Sequence, residues 1–418
     1  MRYFIFLFNI LGIFISLSAS PFNGSHIAHR PTIKTLHTSL NADGEYDMPI
    51  LQLNGEQNLT FSFDEIGGDI QNYYYTIEHC NADWSPSSLS TIEWAEGFVS
   101  NPLNDAMVSY NTTQNYVHYQ VSLPNEDVQL KVSGNYLLHI HEADDPEQRV
   151  VTFSFYVTTQ DLMVSGEVHA RTLKEINKRY QQVDFEVITG NYPMTNPTSE
   201  IKVKIVQNNR LDTEKWLEPS YIGNGKLIYK NNPELIFEGG VEYQTIDFSS
   251  RFSYGEGIER IRFADPMYVV DLYPKIIDVY KSYEYKKDAN GKFVINQQEW
   301  EDDVLTADYF LVRFSIPTEA PFFDGGIYII GEMNQNQMNL ESRMTYNAQL
   351  KCYEKILLLK QGGYNFVYAF KEKGKKQATL LRTEGSYWQT ENEYTIFVYH
   401  RGFGERYDKL LSVRSLTN

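Results

Sequence analysis

Basic residues are outnumbered in this chain: 37 Lys and Arg stand against 54 Asp and Glu, a formal net charge of −17 over 418 residues. Such an acidic chain repels nucleic acid, whose phosphates demand a basic face. Cysteine is almost missing, with Cys80 and Cys352 alone. Two thiols in distant stretches are not a disulfide framework, and they fall in different expected domains, which speaks against a Cys80–Cys352 bridge. Beyond the N-terminus no apolar run is long enough to cross a bilayer, which takes roughly 20 residues. Catalytic signatures are missing as well. There is no GxSxG, no P-loop, no GxGxxG opening a helix and no HExxH, so the common hydrolase, nucleotide-binding and zinc-protease patterns are excluded.

What is present begins at the N-terminus. Arg2 precedes an almost unbroken apolar run at residues 3–15 (YFIFLFNILGIFI), followed by the small residues Ser16, Ser18, Ala19 and Ser20. A charged start, a short apolar core and a small-residue site describe a signal peptide, here residues 1–19. Pro21 disfavours cleavage immediately before it, which puts the mature start near Ala19 or Ser20. No cysteine lies there to take a lipid anchor.

The remaining length suggests several domains. Aromatic residues make up 14%, with 31 Tyr and 24 Phe, and flat rings favour the pleated surface of strands. Alternation with period two recurs throughout. Val117, Tyr119, Val121 and Leu123 alternate with His118, Gln120 and Ser122. Tyr136, Leu138 and Ile140 alternate with Leu137 and His139, and Val151, Phe153, Phe155 and Val157 with Thr152, Ser154 and Tyr156. Each run predicts one buried face and one face toward water. Val183, Phe185 and Val187, then Ile201, Val203 and Ile205, then Phe310, Val312, Phe314 and Ile316 continue the style. Residues 172–181 (TLKEINKRYQ) are the best helical candidate. The expected fold is all-β, a tandem of immunoglobulin-like β-sandwich domains at residues 20–160, 161–300 and 301–418, with the polar stretch 282–308 as hairpin and linker.

Three groups of residues could carry chemistry. In EHCNADW (78–84), a thiol beside an imidazole could be activated, but adjacent strand residues point to opposite faces. The structural reading makes Cys80 a small core residue, with Asn81 and Asp83 in a turn under Trp84. Asp288, Asn290 and Gly291 resemble the opening of a calcium loop with the glycine one position early, which a hairpin turn explains better. His139 and His141 share a strand face without a third metal ligand. No catalytic, cofactor-binding or metal-binding residue is assigned.

Residues 327–370 resemble the immunoglobulin-like glycogen-binding modules, in which G-x-F-N precedes an exposed tryptophan. Here Asn336 stands in that tryptophan's place, removing the ring that would stack on sugar. A wider resemblance runs through YYYTIEHCNADW (73–84), Gly97-Phe98, YVHY (116–119), Leu123-Pro124-Asn125, SGNYLL (133–138), DANG (288–291), ADY (307–309), KQGGY (360–364) and TENEY (390–394). Over nearly the whole mature chain the sequence resembles the type 9 secretion system plug proteins of Bacteroidetes. The resemblance implies a non-enzymatic periplasmic protein, monomeric apart from its partner. That partner would be a giant outer-membrane β-barrel translocon (SprA/Sov type), whose periplasmic mouth the protein seals. It carries over no catalytic residues. His79, Cys80, Asn81, Asp83, Trp84, Ser133, Gly134, Asn135 and Tyr136 belong to its motifs and are expected to be structural. An exported glycan-binding β-sandwich protein is the alternative.

Overall fold

A computed structural model describes residue 22 and residues 24–40, 48–223 and 225–418. The expected signal peptide lies outside the described residues. Among those described, the α-helices are single turns of four residues, and everything else of regular structure is strand apart from two 3₁₀ turns. No described helix is long and apolar enough to cross a membrane. The chain is all-β, as the alternation predicts.

Three two-layer bodies account for the strands. In the first, one sheet runs Ile27–Ala28, Asp145–Thr158, Gly134–Glu142, Tyr73–Cys80 and Ser100–Pro102. It faces a second sheet of Ile33–Leu40, Leu59–Ile66, Tyr116–Leu123 and Asp105–Val108. Phe61 bridges the layers, its ring 5.3 Å from Phe153 and 5.2 Å from Phe155. Packing of such rings at tilted angles adds to the free energy of their burial.

The other two sandwiches do not follow the linear division at residues 160 and 300. The second packs a sheet containing Met163–His169 and Tyr180–Ile188 on one ordered Arg210–Leu217, Ile201–Gln207, Glu393–His400, Lys409–Thr417. Its last two strands come from the far end of the chain, with Val203 opposite Val398 and Ile205 opposite Ile396. The third sandwich takes Gln244–Asp247, Ile258–Ala264 and Met267–Leu272 from the segment expected in the second. It adds Tyr309–Pro317, Gly325–Ile330, Cys352–Lys360 and Gly362–Glu372. The supposed linker is part of this body: Phe293–Ile295 pairs with Gly362–Glu372. Alternation reveals which residues face a core but not which distant strand completes the sheet. Residues 172–181 do not form a helix, because Leu173 and Ile176 remain exposed and offer no face to bury.

The second faces of the first sandwich also differ from expectation. His118, Leu137, His139, Thr152, Ser154 and Tyr156, all predicted to face water, are buried. Other parts of the molecule cover them. Tyr156 and Leu137 pack with Val206, Phe397, Tyr399 and Leu410 of the second sandwich.

Candidate functional site

The two most specific motifs meet on paired strands. Tyr73–Cys80 and Gly134–Glu142 run antiparallel, with Cys80 opposite Asn135 and His79 opposite Tyr136. His79 points to the first core, its ring 4.8 Å from Tyr136 and 6.2 Å from Trp94. Its Nδ1 lies 2.7 Å from the Ser87 hydroxyl and its Nε2 lies 3.3 Å from the Ser133 carbonyl. Burial pulls its pKa down to about 4, so the ring is neutral, and its Nε2–H donates a hydrogen bond to the Ser133 carbonyl. Gly134 sits at φ 149°, and a Cβ there would approach His79 Nε2 to 2.5 Å, so a side chain cannot be placed without displacing the imidazole.

Cys80 points the other way, into the joint with the second sandwich. Burial pushes its thiol far above the ordinary range, the reverse of an activated nucleophile. Both cysteines are free and buried. After Cys80 the chain turns: the Trp84 N–H donates to the Asn81 carbonyl at 2.9 Å, and the Asp83 carboxylate accepts from the Ser85 N–H at 3.0 Å. Trp84 packs edge-on against Tyr156 at 5.3 Å. The turn is clamped to the second sandwich. The Ala82 N–H donates to Asp408 at 3.1 Å, and the Tyr399 hydroxyl donates to the Asn135 side chain at 2.9 Å. Native Cys80 is therefore expected to resist alkylation by iodoacetamide until denaturant is added. Modification at the rate of a free thiol in native buffer would show that this joint opens.

Sequence reasoning did not single out the residues of the joint between the first and third sandwiches. Asp64 is fully buried. It accepts from Lys360 Nζ at 2.7 Å and the Tyr309 hydroxyl at 2.7 Å, and its other oxygen is 2.7 Å from His118 Nδ1. Burial alone would raise its pKa, but the Lys360 ammonium and His118 more than reverse this and hold the carboxyl below its usual range. The Lys360 ammonium also lies 4.1 Å from the Tyr116 ring centre. Asp308 accepts from the backbone N–H groups of Thr113 at 2.9 Å and Gln114 at 3.1 Å. The signal was in YVHY, ADY and KQGGY, three stretches that converge here.

A third joint lies between the second and third sandwiches. Asn209 donates to Glu332 at 2.7 Å, Thr379 to Glu238 at 2.8 Å, and the Ala378 N–H to Asp212 at 3.0 Å. The enclosed space among Gln207, Arg210, Glu238, Tyr243 and Asn392 is about 10 Å³, room for one water. Asn336, in the place of the sugar-stacking tryptophan, is buried here and donates to Glu332 at 3.0 Å. Asp288 is engaged as a turn residue, accepting from the N–H groups of Asn290 and Tyr243. His139 and His141 are bonded within their sheet, to Thr152 at 3.0 Å and Thr76 at 2.8 Å.

Three exposed tyrosines, Tyr273, Tyr280 and Tyr285, stand on one irregular segment, residues 273–292. Tyr280 is 89% exposed, Ile276 68% and Tyr273 64%, with Phe252 and Tyr254 exposed nearby in the chain. A connection this long without regular structure is usually functional. This one is tied down. The Lys275 N–H donates to the Ser315 carbonyl at 2.9 Å, Tyr387 donates to the Lys281 carbonyl at 2.5 Å, and Lys275 and Glu384 form an ion pair.

Residues 33–159 match the family model of the type 9 secretion system plug protein first domain. The chain belongs to the type 9 secretion system plug protein family. A crystal structure of a hypothetical protein from Parabacteroides merdae ATCC 43184 is similar along almost the whole length. Its TM-score is 0.91 at 36% identity, over 94% of this chain and 99% of that one. No curated protein matches. Membership associates the chain with the type 9 secretion machinery of the cell envelope.

Proposed function

We propose that this plug-family protein is a non-catalytic periplasmic plug. It binds the giant outer-membrane β-barrel of the type 9 secretion system and seals its periplasmic opening. The observation that carries the reading is the clamping of three sandwiches to one another by buried polar contacts, above all Asp64 with Lys360 and Tyr309. A seal must keep its shape against a pore, and packed bodies joined by satisfied buried hydrogen bonds resist relative motion. The aromatic segment 273–292 supplies the docking rim, since exposed aromatics are enriched where proteins meet. A glycan-binding role is less well supported, because Asn336 is buried at a joint.

Affinity purification of the tagged chain from detergent-solubilised outer membrane is expected to recover a barrel protein of very large size. Tyr280→Asp with Ile276→Asp is expected to lower that recovery at least about tenfold by removing two exposed anchors. Recovery of no such barrel from cells that make the translocon would overturn the proposal.

A further inference from the structure

The outer face of the third sandwich carries a second exposed feature, beside the segment 273–292. Three strands align Arg260, Asp271 and Arg313 side by side in register, and Ile356 follows on the fourth. Asp271 is buried, and its carboxylate gathers three guanidiniums: Arg260 at 2.8 Å, Arg313 at 3.0 Å and Arg262 at 3.4 Å. The arginines themselves stay 41–57% exposed. One carboxylate cannot neutralise three cations, so the group keeps two positive charges in a chain of net charge −17. Asp271 hydrogen-bonds Arg260 and Arg262 and pairs ionically with Arg313, which restrains these side chains before any partner arrives and lowers the ordering cost of binding a carboxylate.

The adjoining row on the same face is apolar. Arg262 is followed across the sheet by Val269, Leu311 and Leu358. Ile356 is 54% exposed, and Leu311 and Leu358 are half-buried. Glu354 lies one row further along and is engaged by the Asn347 side chain at 2.9 Å. A cationic row beside an aliphatic row is complementary to one kind of occupant. We infer that this sheet face, formed by Arg260, Arg262, Arg313, Leu311, Ile356 and Leu358, docks an acidic amphipathic segment of a partner protein. The segment presents carboxylates along one side and aliphatic side chains along the other. No aromatic ring stands on these rows to stack a sugar.

Fluorescence anisotropy with the full mature chain and a labelled peptide of alternating Glu and Leu tests this. Binding is expected to weaken with added salt and to fall at least about tenfold in Arg260→Gln/Arg313→Gln. Ile356→Glu, which replaces the exposed aliphatic side chain and sets a carboxylate beside Arg313, is expected to have an effect of the same size with an unchanged circular dichroism spectrum. A peptide with Lys in place of Glu is expected not to bind. Equal binding of the Lys peptide, unchanged affinity in Ile356→Glu, or sedimentation with phosphatidylglycerol vesicles in the absence of peptide binding would each overturn the inference. Translocon recovery is read separately, so failure here leaves the plug reading standing and the reverse also holds.

Discussion

Lys360→Met is expected to cost about 3–5 kcal/mol of stability, because removing one partner of a buried pair leaves the other charge uncompensated. Asp64 would then be buried with only the Tyr309 hydroxyl and His118 as partners. The loss falls on a joint rather than a core, so calorimetry should show more than size. The wild-type chain is expected to unfold in one cooperative transition, and the variant in two as the first and third sandwiches uncouple. The double variant Asp64→Asn/Lys360→Met is expected to be less damaged than the sum of its parts, since neither retains an unpaired charge. A single unshifted transition in Lys360→Met would mean that the joint contributes nothing to coupling.

Acid is expected to destabilise the molecule through histidines that are neutral when folded. Burial lowers His26 to about 3, His37 to about 4 and His79 to about 4, against an ordinary value of 6.5. With the folded values depressed, the unfolded chain takes up protons first as pH falls below 6.5, so stability is full above that pH. It is then lost progressively down to the folded values, at about 1.4 kcal/mol per pH unit for each such group. Denaturant midpoints measured at pH 7.5 and pH 5 should therefore differ by several kcal/mol in free energy. His79→Gln should remove about a third of the slope contributed by these three. A flat profile between those pH values would contradict their burial.

The strands were legible in the sequence because alternation reports burial directly, as at Val183, Phe185 and Val187, which lie in the second core. Partner choice was not. Nothing local in Glu393–His400 marks it for pairing with Ile201–Gln207, and polar residues 282–308 read as a linker although Phe293–Ile295 is a strand of the third sheet system. The joints were hidden for a related reason. His118 and Tyr156 alternate as water-facing residues do, and only the arrival of another sandwich buries them. Asp64 and Lys360 look like ordinary surface charges until their strands are brought together. The motif stretches still pointed to the right places: HCNADW with SGNYLL, and YVHY with ADY and KQGGY, each close a joint.

Outer-membrane permeability tests the sealing claim most directly. In cells that retain the translocon, deletion of this gene is expected to admit a large hydrophilic dye that intact cells exclude. The wild-type chain should restore exclusion, and Tyr280→Asp/Ile276→Asp should not. Unchanged dye exclusion in the deletion strain, with the translocon present in normal amount, would contradict the account.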